Sequence, residues 1–581
     1  MDGKMLSLAF VALSFLAGAA VAMAEEGQVL YNGIQLPQPW PPHAADFPAD
    51  PVTPPYLVSP PKLIPIDVGR QLFVDDFLIE KTTLKRTHHI AEYHKDTPVL
   101  KPDQPWESWG RGPMAMPFSD GVWFDPQDNL FKMWYYGGHG GGTTCYATSK
   151  DGIHWEKPKL DVVPDTNIVY KGARDSGTVW LDYETKEPDQ RFKMMLYTGG
   201  KLLLFRSPDG IHWTKATEGG KPGDRSTFFY NPFRQRWIYS IRSGSKFGRS
   251  RHYYETADFF SFGDQVWQKG ELAVWITADS ADPKRDDLNT RPQLYNLDCV
   301  AYESLVIGLF SVWRGDYRGK PQNEKWAELQ RLGRPKQNCV CIGYSRDGFH
   351  WDRPDRRPFC PTSEKPGDWN WGNMQSASDC CLVVGDKLYF YVSGRAGKSF
   401  PGCTNTDAGG STGLAILRRD GFASMDAGGE EGVLTTRPVR FNGKYLFVNV
   451  DARQGQLQAE VLDGVFAHRP AGPAGLNAGH AGLPMRKNIE QDQVIQPFTR
   501  ANCATVSGDE TLAPLNWNGA ADLSALAGKP VKFRFYLRNG ALYSFWVSPD
   551  ANGASHGYVA GGGPGFAGPT DTVGRAALEA K

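Results

Sequence analysis

The heptapeptide SKDGIHW at Ser149–Trp155 returns as SPDGIHW at Ser207–Trp213 and as SRDGFHW at Ser345–Trp351. A phrase written three times implies a repeated unit, and the residues ahead of it define that unit. FSDGVWFD (Phe118–Asp125), DSGTVWLD (Asp175–Asp182) and DRSTFFYN (Asp224–Asn231) each run through an apolar strand to a turn residue seven positions on. Each is followed by a second strand, LFKMWYYGG, RFKMMLYTGG or RQRWIYSIRSG. YNLDCVAY (Tyr295–Tyr302) with LVIGLFSVW supplies a fourth copy, and Asp379–Asp386 with KLYFYVSGR a fifth. Looser versions of the phrase begin at Glu255 and Leu417. Five units of about fifty residues with four short strands apiece predict a five-bladed β-propeller.

Within the phrase, Asp can accept backbone N–H groups, Gly supplies a positive φ, and Trp packs back between sheets. A turn repeated from blade to blade belongs at the periphery, so Asp151, Asp209 and Asp347 read as structural. From Arg437 the phrase is absent and strands such as KYLFVNV and PVKFRFYLRNGALYSFWVS alternate with Gly and Asn turns, which predicts a β-sandwich. The expected organisation is therefore all-β: a signal peptide (1–24), a Pro-rich linker or strap (25–65), the propeller (66–432), the sandwich (433–550) and a flexible Gly/Ala-rich tail (551–581). Eleven prolines between Pro37 and Pro65 exclude ladders and helix from the strap. The Gly, Ala and Pro of 464–494 read as loop or disorder.

The opening, with Lys4, an apolar run from Met5 and small residues ending Ala22-Met23-Ala24, has the pattern of a secretory signal, and no later run of about 20 apolar residues follows. A secreted or periplasmic protein without a membrane span is expected. Basic and acidic side chains balance at 64 each, so no global field favours nucleic acid. Nine cysteines, an odd number, leave at least one thiol unpaired even where export permits disulfides. Cys339-x-Cys341 lacks the second pair that a structural zinc site needs. No cofactor is required; a structural Ca2+ is compatible with the architecture, although no ligand spacing demands one.

In a propeller the first strand of each blade lines the central channel, so its leading residues converge. The aligned register names Phe118, Asp175, Asp224, Tyr295 and Asp379. Convergent carboxylates suit acid/base work because each disfavours ionisation of the other, which makes Asp175 and Asp224 catalytic candidates. The alternative is that they cap strands by accepting backbone N–H groups. Asp120 lies two residues beyond Phe118, on the same strand face. Ahead of it, PWESWGRG offers Trp106 and Arg111 for binding a sugar and Glu107 as general acid. Arg174, Arg242, Tyr295, Asp368 and Trp369 complete the expected substrate-binding set. Glu303 falls at the far end of the pocket, and the VDD of Val74–Asp76 reads as a structural turn.

The five-unit plan, Arg174-Asp175 and the following sandwich resemble the five-bladed propeller glycoside hydrolases, families 32 and 43. LFVDDFLIE, FKMWYYGG and LTTRPVRFNGKYLFVNV are similar to secreted bacterial family 32-like proteins, and the likeness runs from Ile66 to Ser548. In family 32 a first-blade Asp is the nucleophile, the Asp of an Arg-Asp-Pro motif stabilises the transition state, and a Glu is the general acid. That pattern carries over onto Arg174-Asp175, with Ser176 replacing the proline. The first-blade Asn-Asp-Pro-Asn and the Glu-Cys motif are missing, so the resemblance implies a glycoside hydrolase without implying sucrose or fructan cleavage. Two alternatives stand beside it. One is a non-catalytic carbohydrate-binding propeller, favoured by Phe118 at the first-blade position. The other is a sialidase, whose Asp-box resembles SKDGIHW but which has six blades.

Overall fold

The computed structural model describes residues 27–44, 47–220, 222–264, 271–464 and 493–580. The expected signal peptide and most of the 464–494 stretch lie outside the described residues. Five sheets follow one another around a ring. Blade 1 is formed by Ala115–Asp125, Leu130–Gly137, Thr143–Ser149 and Ile168–Lys171, and blade 2 by Gly177–Leu181, Phe192–Thr198, Lys201–Ser207 and Thr214–Gly219. Blade 3 holds Thr227–Asn231, Arg236–Ser245, Gly248–Thr256 and Ala273–Thr277; blade 4 holds Gln293–Glu303, Leu305–Trp313 and Asn338–Ser345. In blade 5, Gly372–Ser376 and Leu382–Val384 both pair with Lys387–Arg395, followed by Gly410–Arg418. The outermost strand of that last blade is Glu92–Tyr93, from the start of the chain, so the ring is closed by its own N-terminal side.

Every residue type in the repeated phrase has a local function. Ser149 Oγ accepts the Gly152 N–H at 2.9 Å, and Asp151 Oδ1 accepts from the N–H groups of Ile153 and His154, both at 2.8 Å. The His154 ring meets Asp151 Oδ2 at 2.7 Å, and the same bonds recur around Asp209 and Asp347. Gly152, Gly210 and Gly348 take φ of 74°, 79° and 79°, a region costly for residues with a Cβ. The turn is also the handle by which blades hold each other. Tyr391 of blade 5 donates to Gly152 O of blade 1 (2.6 Å), Trp134 of blade 1 to Gly210 O of blade 2 (2.7 Å), and Trp275 of blade 3 to Phe349 O of blade 4 (2.8 Å). At the next junction Tyr302 of blade 4 donates to the Asp420 carboxylate in blade 5's looser turn, at 2.6 Å.

The second unit is an eleven-stranded curled sheet. Its membership corrects the expected boundaries. Gln71–Leu72 and Ile79–Thr82, assigned in advance to the propeller, pair instead with C-terminal strands; Lys85–His88 pairs with Ala423–Ala427, which itself joins Gly540–Ser548. The reason is side-chain burial: Phe73, Phe77, Leu78 and Ile79 share one core with Phe533, Phe535 and Phe545. The strap, where neither ladder nor helix was expected, pairs Ile64–Pro65 with Val439–Arg440 and holds a one-turn helix, Pro55–Val58, begun by a proline whose missing N–H costs nothing at that position. The VDD turn is structural, with Asp75 accepting from Arg346 Nε at 2.8 Å inside blade 4's repeated phrase. The strap is anchored by buried Leu30, Ile34, Leu36 and Tyr56 and by Asn32, which donates to Arg346 O at 2.8 Å.

The final segment differs most from expectation. Tyr558–Val559 pairs with the inner strand of blade 4, Phe124 N donates to Gly561 O in blade 1's direction (3.0 Å), and Val383 N of blade 5 donates to Gly562 O (2.9 Å). The glycines that suggested flexibility serve close approach instead: a Cβ on Gly563 would lie 1.7 Å from Val383 O, and one on Gly557 2.1 Å from Glu303 Oε2. Nearby, Arg70 and Arg419 meet Glu303, Asp420 and Asp571 in a fully buried cluster that joins propeller, sandwich and final segment. All nine cysteines are buried and unpaired.

Replacing Trp134 by Phe should leave the Gly210 carbonyl without its donor and lower stability by about 1–3 kcal/mol in denaturant unfolding. An unchanged midpoint would mean that the blade-to-blade bond contributes nothing.

Candidate active site at the channel mouth

Strand direction sorts the loops. The segments leading into each inner strand and those joining second to third strands lie at one end of the ring, while the repeated turns lie at the other. At the first end the axis is filled by side chains. Ser119 Oγ donates to Asp298 Oδ2 (2.9 Å), which also accepts from Asn296 Nδ2 (2.9 Å) and Ser376 Oγ (2.6 Å). Arg225 reaches across from blade 3 to Phe118 O, Ser119 Oγ and Gln375 Oε1 at 2.8–2.9 Å. Phe118, Ser119 and Arg225 of this group, and Asn373, whose side chain bonds that of Gln375, have φ of 44°, 69°, 62° and 50°. Bulges interrupt the inner strands of blades 1, 4 and 5 here. Backbone strain of this kind is held only where surrounding bonds over-determine it. Burial raises the Asp298 carboxyl against the opposing pull of Arg225.

Blade 1 contributes no carboxylate above this plug. Asp120 is buried and gripped by Arg174 through two bonds, Nη1–Oδ2 at 3.0 Å and Nη2–Oδ1 at 2.9 Å. Burial raises its carboxyl while Arg174 lowers it. Phe118 stands at the leading position, its ring carrying the guanidinium of Arg225 at 3.9 Å and that of Arg395 at 5.2 Å. Above lie the groups that share the mouth. Burial lowers the Arg395 guanidinium, the nearby carboxylates of Asp407 and Asp175 oppose that, and Tyr295 and Tyr136 lie in the same neighbourhood. Lys336 donates to the Tyr295 hydroxyl at 2.7 Å. Asp224 pairs with Arg242 at 3.0 Å, both about one-third exposed. Asp175 is half-buried, and its own N–H donates to Tyr197 O at 2.9 Å. Burial, then Arg395 and Arg111, push His139 down to about 3, a neutral imidazole whose Nδ1 is buried without a partner. Burial works against ionisation of Asp407, but Arg395, Lys336 and Arg318 hold its carboxyl low.

The structure thus brings Asp175, Asp224, Arg174, Arg242, Tyr295, Asp120 and Arg111 to one end of the channel. It removes other expectations. Glu107 is wholly buried at the foot of a short 3-10 turn, Pro105–Ser108, and its carboxylate is saturated by the N–H groups of Asp103 and Gln104, the Tyr135 hydroxyl at 2.6 Å and Lys157 at 2.8 Å. It is a cap and a core anchor with no free lone pair for a leaving group. Trp106 donates to Asn167 Oδ1 (2.8 Å) and packs on the blade 1 core. Trp369 lies edge-on to Tyr93 and against Gly394 and Gly413, and Asp368 accepts from Ser363 Oγ at 2.6 Å; both organise a loop of blade 5. Asp379 lies beyond the break in blade 5's inner strand, where Oδ1 accepts the Val122 N–H at 2.7 Å. The leading residues of that blade are Gly372–Ser376, and the break displaced the aligned register.

Sequence reasoning missed Arg395, Asp407, His139 and Lys336. Asp407, His139 and Lys336 sit on loops between second and third strands and Arg395 ends a second strand, all outside the aligned inner-strand segment. Only His139, alone in the glycine run Gly137–Gly142, carried a visible signal. Among the described residues, no group of three or more His, Cys, Asp or Glu is placed to hold a metal ion.

No protein-family model and no curated protein matches the chain. Solved structures do. One described as a putative glycoside hydrolase from Bacteroides ovatus is 13% identical, covering 56% of this chain and 96% of its own, with a TM-score of 0.33. An endo-arabinase from Bacteroides thetaiotaomicron is 10% identical over 52% of this chain and 97% of its own, TM-score 0.32. A β-fructofuranosidase from Schwanniomyces occidentalis is 10% identical over 79% and 96%, TM-score 0.32. At such identity and superposition these neighbours add no argument to the sheets themselves.

Two substitutions check the assignments. Glu107→Gln should lower stability by about 1–3 kcal/mol through its buried partners and leave the turnover of the folded fraction intact; loss of turnover at unchanged stability would return Glu107 to the site. Burial pushes Asp379 up to about 8, so its uncharged form favours the fold below the ordinary carboxylate range and this contribution is lost as pH rises through 8. Asp379→Asn should therefore flatten the fall in denaturant midpoint between pH 4 and 9; an unaltered pH profile would contradict the assignment. The chain is a five-bladed β-propeller carrying a β-sandwich, with its convergent polar side chains at one mouth of the channel.

Proposed function

We propose that the chain is an exported glycoside hydrolase, cleaving glycosidic bonds of a poly- or oligosaccharide at the channel mouth. The observation that supports this reading is that Asp175 of blade 2, near Arg395, Tyr136 and Tyr295, and Asp224 of blade 3, paired with Arg242, both lead their blades at the same end of the channel. Two carboxylic groups flanking one bond are what glycoside hydrolysis needs, one giving a proton to the leaving oxygen and the other acting as base or nucleophile. Asp224 faces a guanidinium and is suited to the carboxylate role. Asp175, in no direct ion pair among the described residues, is the proposed donor. Glu107 has no part in this scheme. The N-terminal signal pattern supports export, and the resemblance to propeller hydrolases supports a carbohydrate substrate.

Asp175→Asn and Asp224→Asn should each lower kcat on the cleaved glycan by about 10²–10⁴-fold with folding unchanged. Full activity in either variant removes that residue from the chemistry. A second reading, a carbohydrate-binding propeller without turnover, is favoured by Phe118, whose ring occupies the blade 1 position between two guanidiniums. Binding without turnover across a glycan panel would establish it. The sialidase reading is opposed by the five sheets.

A further inference from the structure

The whole chain is neutral, yet the charges around the channel mouth do not cancel. Arg174 is answered by Asp120, Arg242 by Asp224 and Arg318 by Asp316, each in a direct ion pair. Three other cations there donate to neutral groups: Arg395 to the Asp407 carbonyl, Lys336 to the Tyr295 hydroxyl, and Arg249 to Gln293 Oε1 at 2.9 Å. Arg249 also lies 5.7 Å from the Tyr295 ring, and Lys336 4.5 Å from it, which places both cations beside one aromatic. Beneath them the buried Arg251 donates only to carbonyl and hydroxyl oxygens, of Arg225, Tyr295 and Ser240. The carboxylates near this set are Asp175 and Asp407 beside Arg395, and Asp298 and the already paired Asp224 beside Arg251. Burial and then the neighbouring Arg225 push Arg251 down to about 9, as expected where positive charge is in excess.

Arginine and lysine offer donors and no acceptor. A neutral sugar, whose hydroxyls both donate and accept, leaves such a surplus of donors unmatched, whereas an oxyanion takes several of them at once through charge-assisted bonds. We infer that the mouth recognises a saccharide bearing an oxyanion, a uronate carboxylate or a sulfate ester, docked on Arg395, Lys336 and Arg249 with the Tyr295 ring beside it. This rests on the carbohydrate reading above and names its substrate class.

The test is calorimetric binding by the full chain to matched pairs: oligogalacturonate with its methyl ester, and sulfated galactan oligosaccharide with its desulfated twin. At least one charged member should bind about tenfold or more tightly than its neutral twin, and the difference should shrink as salt is raised. Lys336→Gln and Arg249→Gln should each reduce that preference severalfold without moving the unfolding midpoint. Equal binding within every pair, or a preference that survives both substitutions, overturns the inference. Inorganic phosphate displacing the charged saccharide at equal concentration would place the oxyanion outside the sugar and overturn it too. Charge preference retained with no turnover on any glycan leaves this inference standing and removes the hydrolase reading, so the two fail separately.

Discussion

The hydrogen bond from an aromatic side chain of one blade to the repeated turn of the next is the constraint on which the ring depends. Each sheet twists, and twisted sheets packed face to face need a fixed angular step if the fifth is to meet the first. Apolar packing alone sets distance loosely. A Trp or Tyr donor reaching a particular carbonyl, as Trp134 does to Gly210 and Tyr391 to Gly152, fixes both separation and rotation. The turn can present that carbonyl rigidly because Ser, Asp and His tie up its own donors, and because Gly alone accepts the required φ at little cost. Between blades 2 and 3 the described residues meet by packing: Trp180 lies against Phe228 and Trp237 at centroid distances of 6.4 Å and 6.0 Å.

At the opposite end from the mouth, the buried cluster of Arg70, Arg419, Glu303, Asp420 and Asp571 ties the sandwich and the final segment to the ring. A buried ion network is weak evidence of net stability, because desolvation offsets much of the attraction. Its geometric effect is clearer. Glu303 and Asp420 sit at φ of 49° and 61°, and their carboxylates serve partners from three parts of the chain. Burial raises Glu303 while the two guanidiniums oppose it, and both guanidiniums reach their carboxylates only while the domains stay docked. The mouth is thereby left as the open face of the propeller, and its loops can diverge without disturbing the closed end.

The mouth combines a rigid floor with a charged rim. Arg225 and Asp298 close the axis through Ser119, so the channel is a packed cup rather than a pore. Phe118 within that floor explains why the first-blade acid of the resembled families has no counterpart here: two guanidiniums flank the ring in the place where a carboxylate would stand. The carboxylates at this mouth come from blades 2 to 5, as Asp175, Asp224, Asp316 and Asp407.

The amino-acid sequence determined the blade count, the peripheral place of Asp151, Asp209 and Asp347, and the leading positions of Asp175, Asp224 and Tyr295 in their blades, because a repeat written at constant spacing transmits register directly. It could not determine the partners of Glu107, whose four donors come from three separate segments, nor the break that displaced Asp379, because both depend on which backbone groups arrive from distant strands. Arg395, Asp407, Lys336 and His139 were hidden for the same reason: loops of unequal length carry no shared spacing, and only closure of the ring sets them side by side. The glycines of the final segment show the limit most plainly. Their composition reads as freedom, whereas in the folded chain the missing Cβ is what lets one backbone lie against another.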